Sequence, residues 1–548
     1  MKQGMIERHI LLNIKKYGKA DTKAILSKMI GEDPSLKKKI PQVMEEIEKH
    51  LKGISKLPKS ELKQRLSTLK EEKRKKVPGK TLPELKKVPF PYVFRFEPSP
   101  TGPLHIGHMI VLLLNAEYAK KYSGKMVVRI ADTNPEDIYE PAYTLIVEDA
   151  TWVTQQPIQT VIQSDKMEDY YLHAKLLIDH NHAYVCTCNQ ESFRNLALKK
   201  QACPCRSLSP EEHKERWEKM FTEYEMGEAV LRIKTDISHK NPAVRDWAAC
   251  RINDAPHPRH GKEYRVWPLM NFSVAVDDHD ASITHVIRGK DHIVNMERQI
   301  YIYRYFKWNI PEFIHIGRIN FRGMKISTSG FREGIEKKQY TGWDDPRLPT
   351  LCAFKRRGIH PEAFIHYIHE LGPSRVDKTV DYNMFIKAIY SYNRAVIDKR
   401  AKRYFFVESP KKVEVKNAPR VKVQIPLHPE VSHPEHRALS TAGTFYIEDA
   451  LQKNKVYRFM HLFNIKNGEF HSMEPQPRGQ AKLIHWLPVS DDLINVKIVM
   501  PDNTARHGLA EPSIRSIAQG EVIQFERKFF CRLDAKSNEE YVFYYTHP

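Results

Sequence analysis

The stretch "PSPTGPLHIGHM", residues 98–109, decides how this chain is read. It follows the alternating "YVFRF" (92–96), a short strand, and leads into a mostly apolar helix from Ile106 to Tyr122. A second strand, "KMVVRI" (125–130), comes next. Strand, loop, helix, strand is the opening of a parallel α/β sheet. Open sheets of that kind bind ligands beyond the carboxyl end of a strand, where the next helix starts. The loop brings Gly102 and Gly107 there, which permit close backbone approach, a side chain at 107 being an obstruction to a stacked base. It also brings His105 and His108, three apart and so on one face of the first helical turn. Two such rings can donate hydrogen bonds to an oxyanion forming on a phosphate, and helix N-terminal amides attract phosphate. Without further company, the pair reads as two surface histidines at a helix start.

A chain of 548 residues has room for three or more domains, each with its own core. No apolar run is long enough for a membrane span, so the expectation is a cytoplasmic protein without membrane contact. The net charge of +21 is unevenly spread. Residues 1–90 hold 24 Lys and Arg against 11 Asp and Glu, an excess of 13. That concentration fits contact with a polyanion such as nucleic acid, or a solvated basic appendage.

Three of the seven cysteines, Cys250, Cys352 and Cys531, stand alone and read as core fillers. The other four form two tight pairs, "CTC" (186–188) and "CPC" (203–205). Two such pairs across a short loop can deliver four thiolates to one tetrahedral centre, and no His or carboxylate is interleaved as a catalytic ligand. A closed structural zinc on Cys186, Cys188, Cys203 and Cys205 is the expectation; reduced cysteines without metal are the alternative.

Residues 1–89 read as helices, with Ile40, Val43, Met44, Ile47, Leu51 and Ile54 at helical spacing. "ELKQRLSTLKEEKRKK" (61–76) continues the pattern, and the proline-rich "VPGKTLPELKKVPFP" (77–91) reads as a linker. Further α/β texture follows at 266–292 and in "IHIGRINF" (314–321), with the cysteines and a charged helix at 209–225 inserted between. A helical region runs from 350 to about 398, and short alternating segments after it predict an all-β tail.

"PSPTGPLHIGH" closely resembles a signature of the class I aminoacyl-tRNA synthetases, and "RFEPSPTG" narrows the resemblance to the branch charging glutamate and glutamine. "MKISTSG" (324–330) is similar to the second signature of that family, Lys-Met-Ser-Lys-Ser, with Thr328 replacing the second lysine. In "THVIRGKDH" (284–292), Arg288 stands where glutamyl enzymes carry arginine. A guanidinium there can pair with a γ-carboxylate; pairing with a neighbouring aspartate is the alternative. "GWDDPRLPTLCAFKRRGI" (342–359) and the all-β tail resemble the archaeal and eukaryotic glutamyl group.

The resemblance implies a multidomain α/β protein. Its expected parts are a basic helical appendage and linker (1–89), two halves of a Rossmann-type catalytic domain (90–183 and 265–345), and a zinc-holding insertion for the acceptor arm (184–264). A helical stem (346–398) and a β-barrel anticodon-binding region (399–548) complete it. It implies catalytic roles for His105, His108, Lys325, Ser327 and Ser329, and ATP contacts at Gly102, Gly107, Arg318 and Thr328. Arg95, Ser99 and Arg288 would bind the amino acid. ATP, Mg²⁺, Zn²⁺, L-glutamate and tRNA(Glu) are the implied cofactors and partners, with tRNA(Gln) open as a second acceptor and tRNA bound before activation. Ala131 replaces a common Asp or Glu at the substrate ammonium, and Met270 a common tyrosine. Glutaminyl activity, or a catalytically weakened tRNA-binding relative, are the competing expectations.

Overall fold

The computed structural model describes residues 3–17, 20–32, 36, 40–55, 57–58, 61–62, 65, 81–89, 91–430, 435–477 and 479–548. The chain divides into two units, Met1–Gly79 and Lys80–Pro548. The first holds three helices, α1 (Gln3–Tyr17), α2 (Thr22–Glu32) and α3 (Ile40–Ser55), packed around Ile6, Ile10, Ile25, Met29, Val43 and Ile47. Ile40, expected on the apolar face, opens α3 and is exposed. Most of the helical pattern expected at 61–76 lies outside the described residues.

The second unit is built on a five-stranded, all-parallel sheet. In chain order come β1 (Val93–Phe96), α4 (Ile106–Lys121), β2 (Lys125–Ile130), α5 (Ala142–Thr154), β3 (Gln159–Ile162) and α6 (Met167–Asp179). Eleven of the sixteen residues of α4 are buried, which is why its sequence is apolar nearly all round. Its one buried amide, Asn115, donates to the carbonyls of Val111 and Ile287 at 2.8 and 3.1 Å.

An antiparallel sheet of β4 (Ala183–Cys186), β5 (Val230–Ile233), β6 (Ala248–Ile252) and β7 (Val266–Pro268) is then inserted, carrying α7 (Gln190–Leu198) and α8 (Pro210–Thr222). Its core holds Trp217, Trp247 and Trp267. The chain returns through α9 (Met270–Asp280) to β8 (His285–Gly289), α10 (Ile293–Tyr305) and β9 (Glu312–Ile316). The parallel sheet runs β3-β2-β1-β8-β9, so the order reverses between β1 and β8 and opens a crevice beyond their carboxyl ends.

"IHIGRINF" is two strands, not one. A side chain on Gly317 would meet the Val376 carbonyl at 2.3 Å, and the chain turns there into β10 (Ile319–Arg322). After α11 (Thr328–Glu336), α12 (Leu351–Arg356) and α13 (Pro361–Leu371), β10 pairs in parallel with β11 (Lys378–Asp381), a strand inside the region expected to be helical. Helix α14 (Tyr382–Ile397) ends that region.

Residues 81–89 have no regular structure, as expected of a linker, yet they are anchored. Lys121 Nζ donates to the Leu82 carbonyl at 2.6 Å, and the Leu85 amide donates to Tyr122 Oη at 2.7 Å. Beyond residue 400 the described chain is β-structure with one short 3-10 turn. A seven-stranded sheet has Arg403–Tyr404 on one edge and Phe406–Glu408 on the other. One segment, broken at Phe405, therefore supplies both edges, which closes the sheet on itself.

Candidate active site

The loop after β1 is fixed from three sides. The Ile106 amide donates to the Pro349 carbonyl at 3.1 Å, and the Leu351 amide to Leu104 at 2.8 Å. The Leu104 amide donates to buried Asp149 at 2.9 Å. Burial pushes the Asp149 carboxyl up to about 7, against the stabilising amide.

His105 is the N-cap of α4. Its Nδ1 accepts from the amides of Gly107 and His108 at 3.0 and 3.3 Å, so Nδ1 carries no proton and Nε2 is the N–H donor. The His108 ring stacks on it at 3.8 Å between centroids, and His108 Nδ1 is buried without a partner among the described residues. Burial lowers the His105 pKa to about 4, and burial plus the neighbouring ring holds His108 well below its ordinary value. Both rings are neutral at pH 7, so they present N–H donors and not imidazolium charge.

Gly107 has a steric reason closer to hand than the stacked base expected from the sequence. A Cβ there would stand 2.9 Å from His105 Cε1. At Gly102 a Cβ would meet Thr328 Cγ2 at 2.6 Å and Trp343 at 3.0 Å, so the first loop and the start of α11 touch through that gap.

A cavity of about 650 Å³ lies between these elements, room for a nucleotide-sized ligand. Among its walls are His105, Gly107 and His108 after β1, Gly289 at the end of β8, Arg318 after β9, and Ile326 of the second motif. Lys325 is exposed beside Ile326. Ser327 caps α11, its Oγ accepting from the Gly330 amide at 3.2 Å and lying 3.2 Å from Ser329 Oγ. Arg318 is exposed, its amide donating to Asp377 at 2.7 Å. Ser99 is exposed in the loop.

Around Arg95, the residue expected to meet the amino acid, lies a buried charge network. Arg95 Nε and Nη2 donate to Asp278 at 3.1 and 3.3 Å, and Nη1 pairs with Glu97 at 2.9 Å. Each nitrogen of Arg95 thus already faces a carboxylate of the protein. Arg129 binds the same two acids at 2.8 and 3.2 Å. Arg288, also buried, does not pair with an aspartate. Its Nη2 donates to Gln299 Oε1 at 2.9 Å, while Nε and Nη1 have no partner among the described residues. Burial, with Arg95 nearby, lowers its pKa to about 10, against the weaker opposing pull of Asp278 and Glu97. At the two positions expected beside a substrate ammonium, Ala131 and Met270 offer neither a carboxylate nor a phenol. Asp132 cannot substitute, since it accepts from Tyr143 Oη, Ser164 Oγ and the Ser164 amide at 2.7–2.8 Å.

Sequence reading missed Glu97, Asp278 and Gln299. The adjacent acids in "VAVDDHD" (274–280) were the available signal, because carboxylates in an otherwise apolar helix must find buried cations.

The four paired cysteines converge in the insertion, their sulfurs all within 4.8 Å of one another. Cys186 to Cys203 is 3.8 Å and Cys188 to Cys205 is 3.7 Å. Four sulfurs about 2.3 Å from a tetrahedral ion would stand about 3.8 Å apart, so the donor set fits zinc. Arg216 Nη1, 3.5 Å from Cys205, and Tyr184 Oη, 3.4 Å from Cys203, offer donors to thiolates.

Residues 92–399 match the family model described as tRNA synthetases class I (E and Q), catalytic domain. Residues 401–482 and 483–534 match two models of the class I (E and Q) anti-codon binding domain. The chain is 42% identical over 545 residues to a glutamate–tRNA ligase of Methanocaldococcus jannaschii, covering 97% of this chain and 98% of the relative. It is 42% identical over 557 residues to that of Methanothermobacter thermautotrophicus, covering 100% and 99%. For that of Methanobrevibacter smithii the identity is 41% over 556 residues, covering 99% of both. With a catalytic-domain match over more than half the chain and relatives similar from end to end, the chain belongs to the class I tRNA synthetases of the glutamate and glutamine group.

Proposed function

We propose that this protein attaches L-glutamate to tRNA(Glu) through a glutamyl-adenylate, with ATP as its magnesium complex. The observation that carries the choice of amino acid is Arg288, buried with Nε and Nη1 unpartnered among the described residues. A buried guanidinium with two free donors receives a carboxylate through charge-assisted bonds that a neutral amide cannot match.

In the first step the glutamate α-carboxylate attacks the α-phosphorus of ATP. An O–P bond forms, the bond to the β-phosphate bridging oxygen breaks, and pyrophosphate leaves. Such transfer depends on positioning and on stabilising charge as it moves. The Nε2–H of His105 is free to donate to the phosphate oxygens, and His108 stacks against that ring. Lys325, Ser327 and Ser329 serve the leaving pyrophosphate, and Thr328, without charge, places its methyl group against Gly102. In the second step the terminal ribose hydroxyl of the tRNA, the 2′-hydroxyl in this class, attacks the glutamyl carbonyl. AMP leaves and the hydroxyl proton is released.

Cys186, Cys188, Cys203 and Cys205 would hold a structural zinc, which would tie the 186–188 and 203–205 turns of the insertion that serves the acceptor arm. The closed β-region from residue 401 serves the anticodon end.

The test is charging of purified tRNA(Glu) and tRNA(Gln) with glutamate and with glutamine, each pair separately. Glutamyl-tRNA(Glu) is the expected product, and the tRNA(Gln) arm reads out the second acceptor. Glutaminyl-tRNA as the main product, or no ATP–pyrophosphate exchange with tRNA present, would overturn the proposal.

A further inference from the structure

A second buried residue fixes where the Arg288 charge points. Gln299, fully buried on α10, accepts from Arg288 Nη2. Its amide orientation follows from chemistry. A guanidinium offers no acceptor, so the Gln299 oxygen must face it, and the nitrogen is then turned to Asn271 Oδ1 on α9, 3.5 Å away.

The rest of the surroundings is neutral or already engaged. Asp278 and Glu97 are held by Arg95 and Arg129. His315 stands opposite Arg288 in the β8–β9 register, and burial keeps it neutral by lowering its pKa to about 4. The Phe313 ring lies 5.0 Å from the guanidinium carbon. A carboxylate at 299 would be the ordinary partner for a buried arginine, and it would neutralise the site before any substrate arrived. A neutral amide of the same shape holds the guanidinium and brings no negative charge of its own beside it.

We propose that Gln299 is a specificity-determining positioning residue, anchoring Arg288 through a neutral acceptor so that the charge, Nε and Nη1 remain available to the substrate side-chain carboxylate. The inference rests on Arg288 being the receptor of that carboxylate.

The experiment compares full-length Gln299→Glu, Gln299→Met and Arg288→Cys with the unsubstituted protein, measuring kcat and KM for glutamate and glutamine in tRNA charging. KM for ATP is measured alongside as a check on the rest of the site. For Gln299→Glu, glutamate kcat/KM is expected to fall on the order of 10²-fold, mainly through KM. Glutamine should suffer less, so the preference falls at least about tenfold. Gln299→Met keeps the charge and loses the anchor, so glutamate KM should rise about tenfold with the preference largely kept.

A purely structural Gln299 gives the reverse order, Gln299→Glu being the milder change with an unaltered preference, and that result overturns the proposal. Should Gln299→Glu not fold, an unchanged glutamate KM in Gln299→Met overturns it equally. If Arg288→Cys leaves the preference unchanged, the reading of Arg288 fails and this one with it. If Arg288→Cys abolishes the preference and Gln299→Glu does not alter it, the role of Gln299 alone fails.

Discussion

Thr328 Cγ2 lies 2.6 Å from the point where a side chain on Gly102 would begin. The two signature loops of the site, more than two hundred residues apart, therefore meet through the space a glycine leaves. Gly102→Ala must push the 324–330 loop away or displace Trp343, an overpacking cost of about 1–3 kcal/mol. ATP–pyrophosphate exchange is expected to fall about tenfold or more. Gly102→Ala combined with Thr328→Ser removes the clashing methyl and should recover most of the rate. No recovery in the double variant would mean that this contact does not set the loop position.

The neutral histidine pair makes a second prediction. His105→Ala or His108→Ala should slow adenylate formation on the order of 10²-fold or more, the loss typical of a transition-state donor, with tRNA binding nearly intact. Because the His105 pKa sits at about 4 and that of His108 is also depressed, activation should show no histidine titration between pH 6 and 8. Single-turnover activation at saturating ATP measures both points. A rate that climbs on acidification through pH 6.5 would show that the charged ring is the working form.

Asp149 supports the same loop from beneath, and its pKa of about 7 gives stability a sign. A carboxyl raised above its unfolded value near 3.8 contributes stability that is complete below that value and lost as pH rises through 7. Asp149→Asn keeps an acceptor for the Leu104 amide and removes the titration. The variant should gain on the unsubstituted protein in Tm as pH rises from about 5 to about 7 and then hold level, each pKa unit being worth about 1.4 kcal/mol. A Tm difference that is constant across that range would contradict the assignment.

The four-cysteine cluster yields a metal prediction. Protein purified without added metal should carry one zinc per chain, and Cys203→Ser should lower that content and loosen the insertion around Tyr184. Elemental analysis decides it. Zinc near zero, with all four thiols freely titratable in folded protein, would leave the cluster as reduced cysteines.

Much of this was legible in the sequence because it is local. The β1–loop–α4–β2 unit, the histidine pair and the paired cysteines each depend on residues close in the chain. The break at Gly317 was not legible, since the obstacle is the Val376 backbone some sixty residues away. Strand β11, four residues whose partner is β10, has no periodicity long enough to announce it. Arg288 could be picked out by its type and place, whereas its anchor could not. That Gln299 and not a carboxylate faces it depends on how α10 rotates against β8.

The most direct measurement is the ratio of kcat/KM for glutamate to that for glutamine in the unsubstituted protein, Arg288→Cys and Arg288→Lys. Removing the cation from a desolvated pair costs about 3–5 kcal/mol. Arg288→Cys should therefore lose glutamate kcat/KM by roughly 10²- to 10³-fold, with glutamine use falling less or rising. Arg288→Lys should recover only part, because an ammonium cannot reproduce a planar two-donor fork. A ratio that stays constant while activity falls would contradict the assignment of Arg288 as the glutamate receptor.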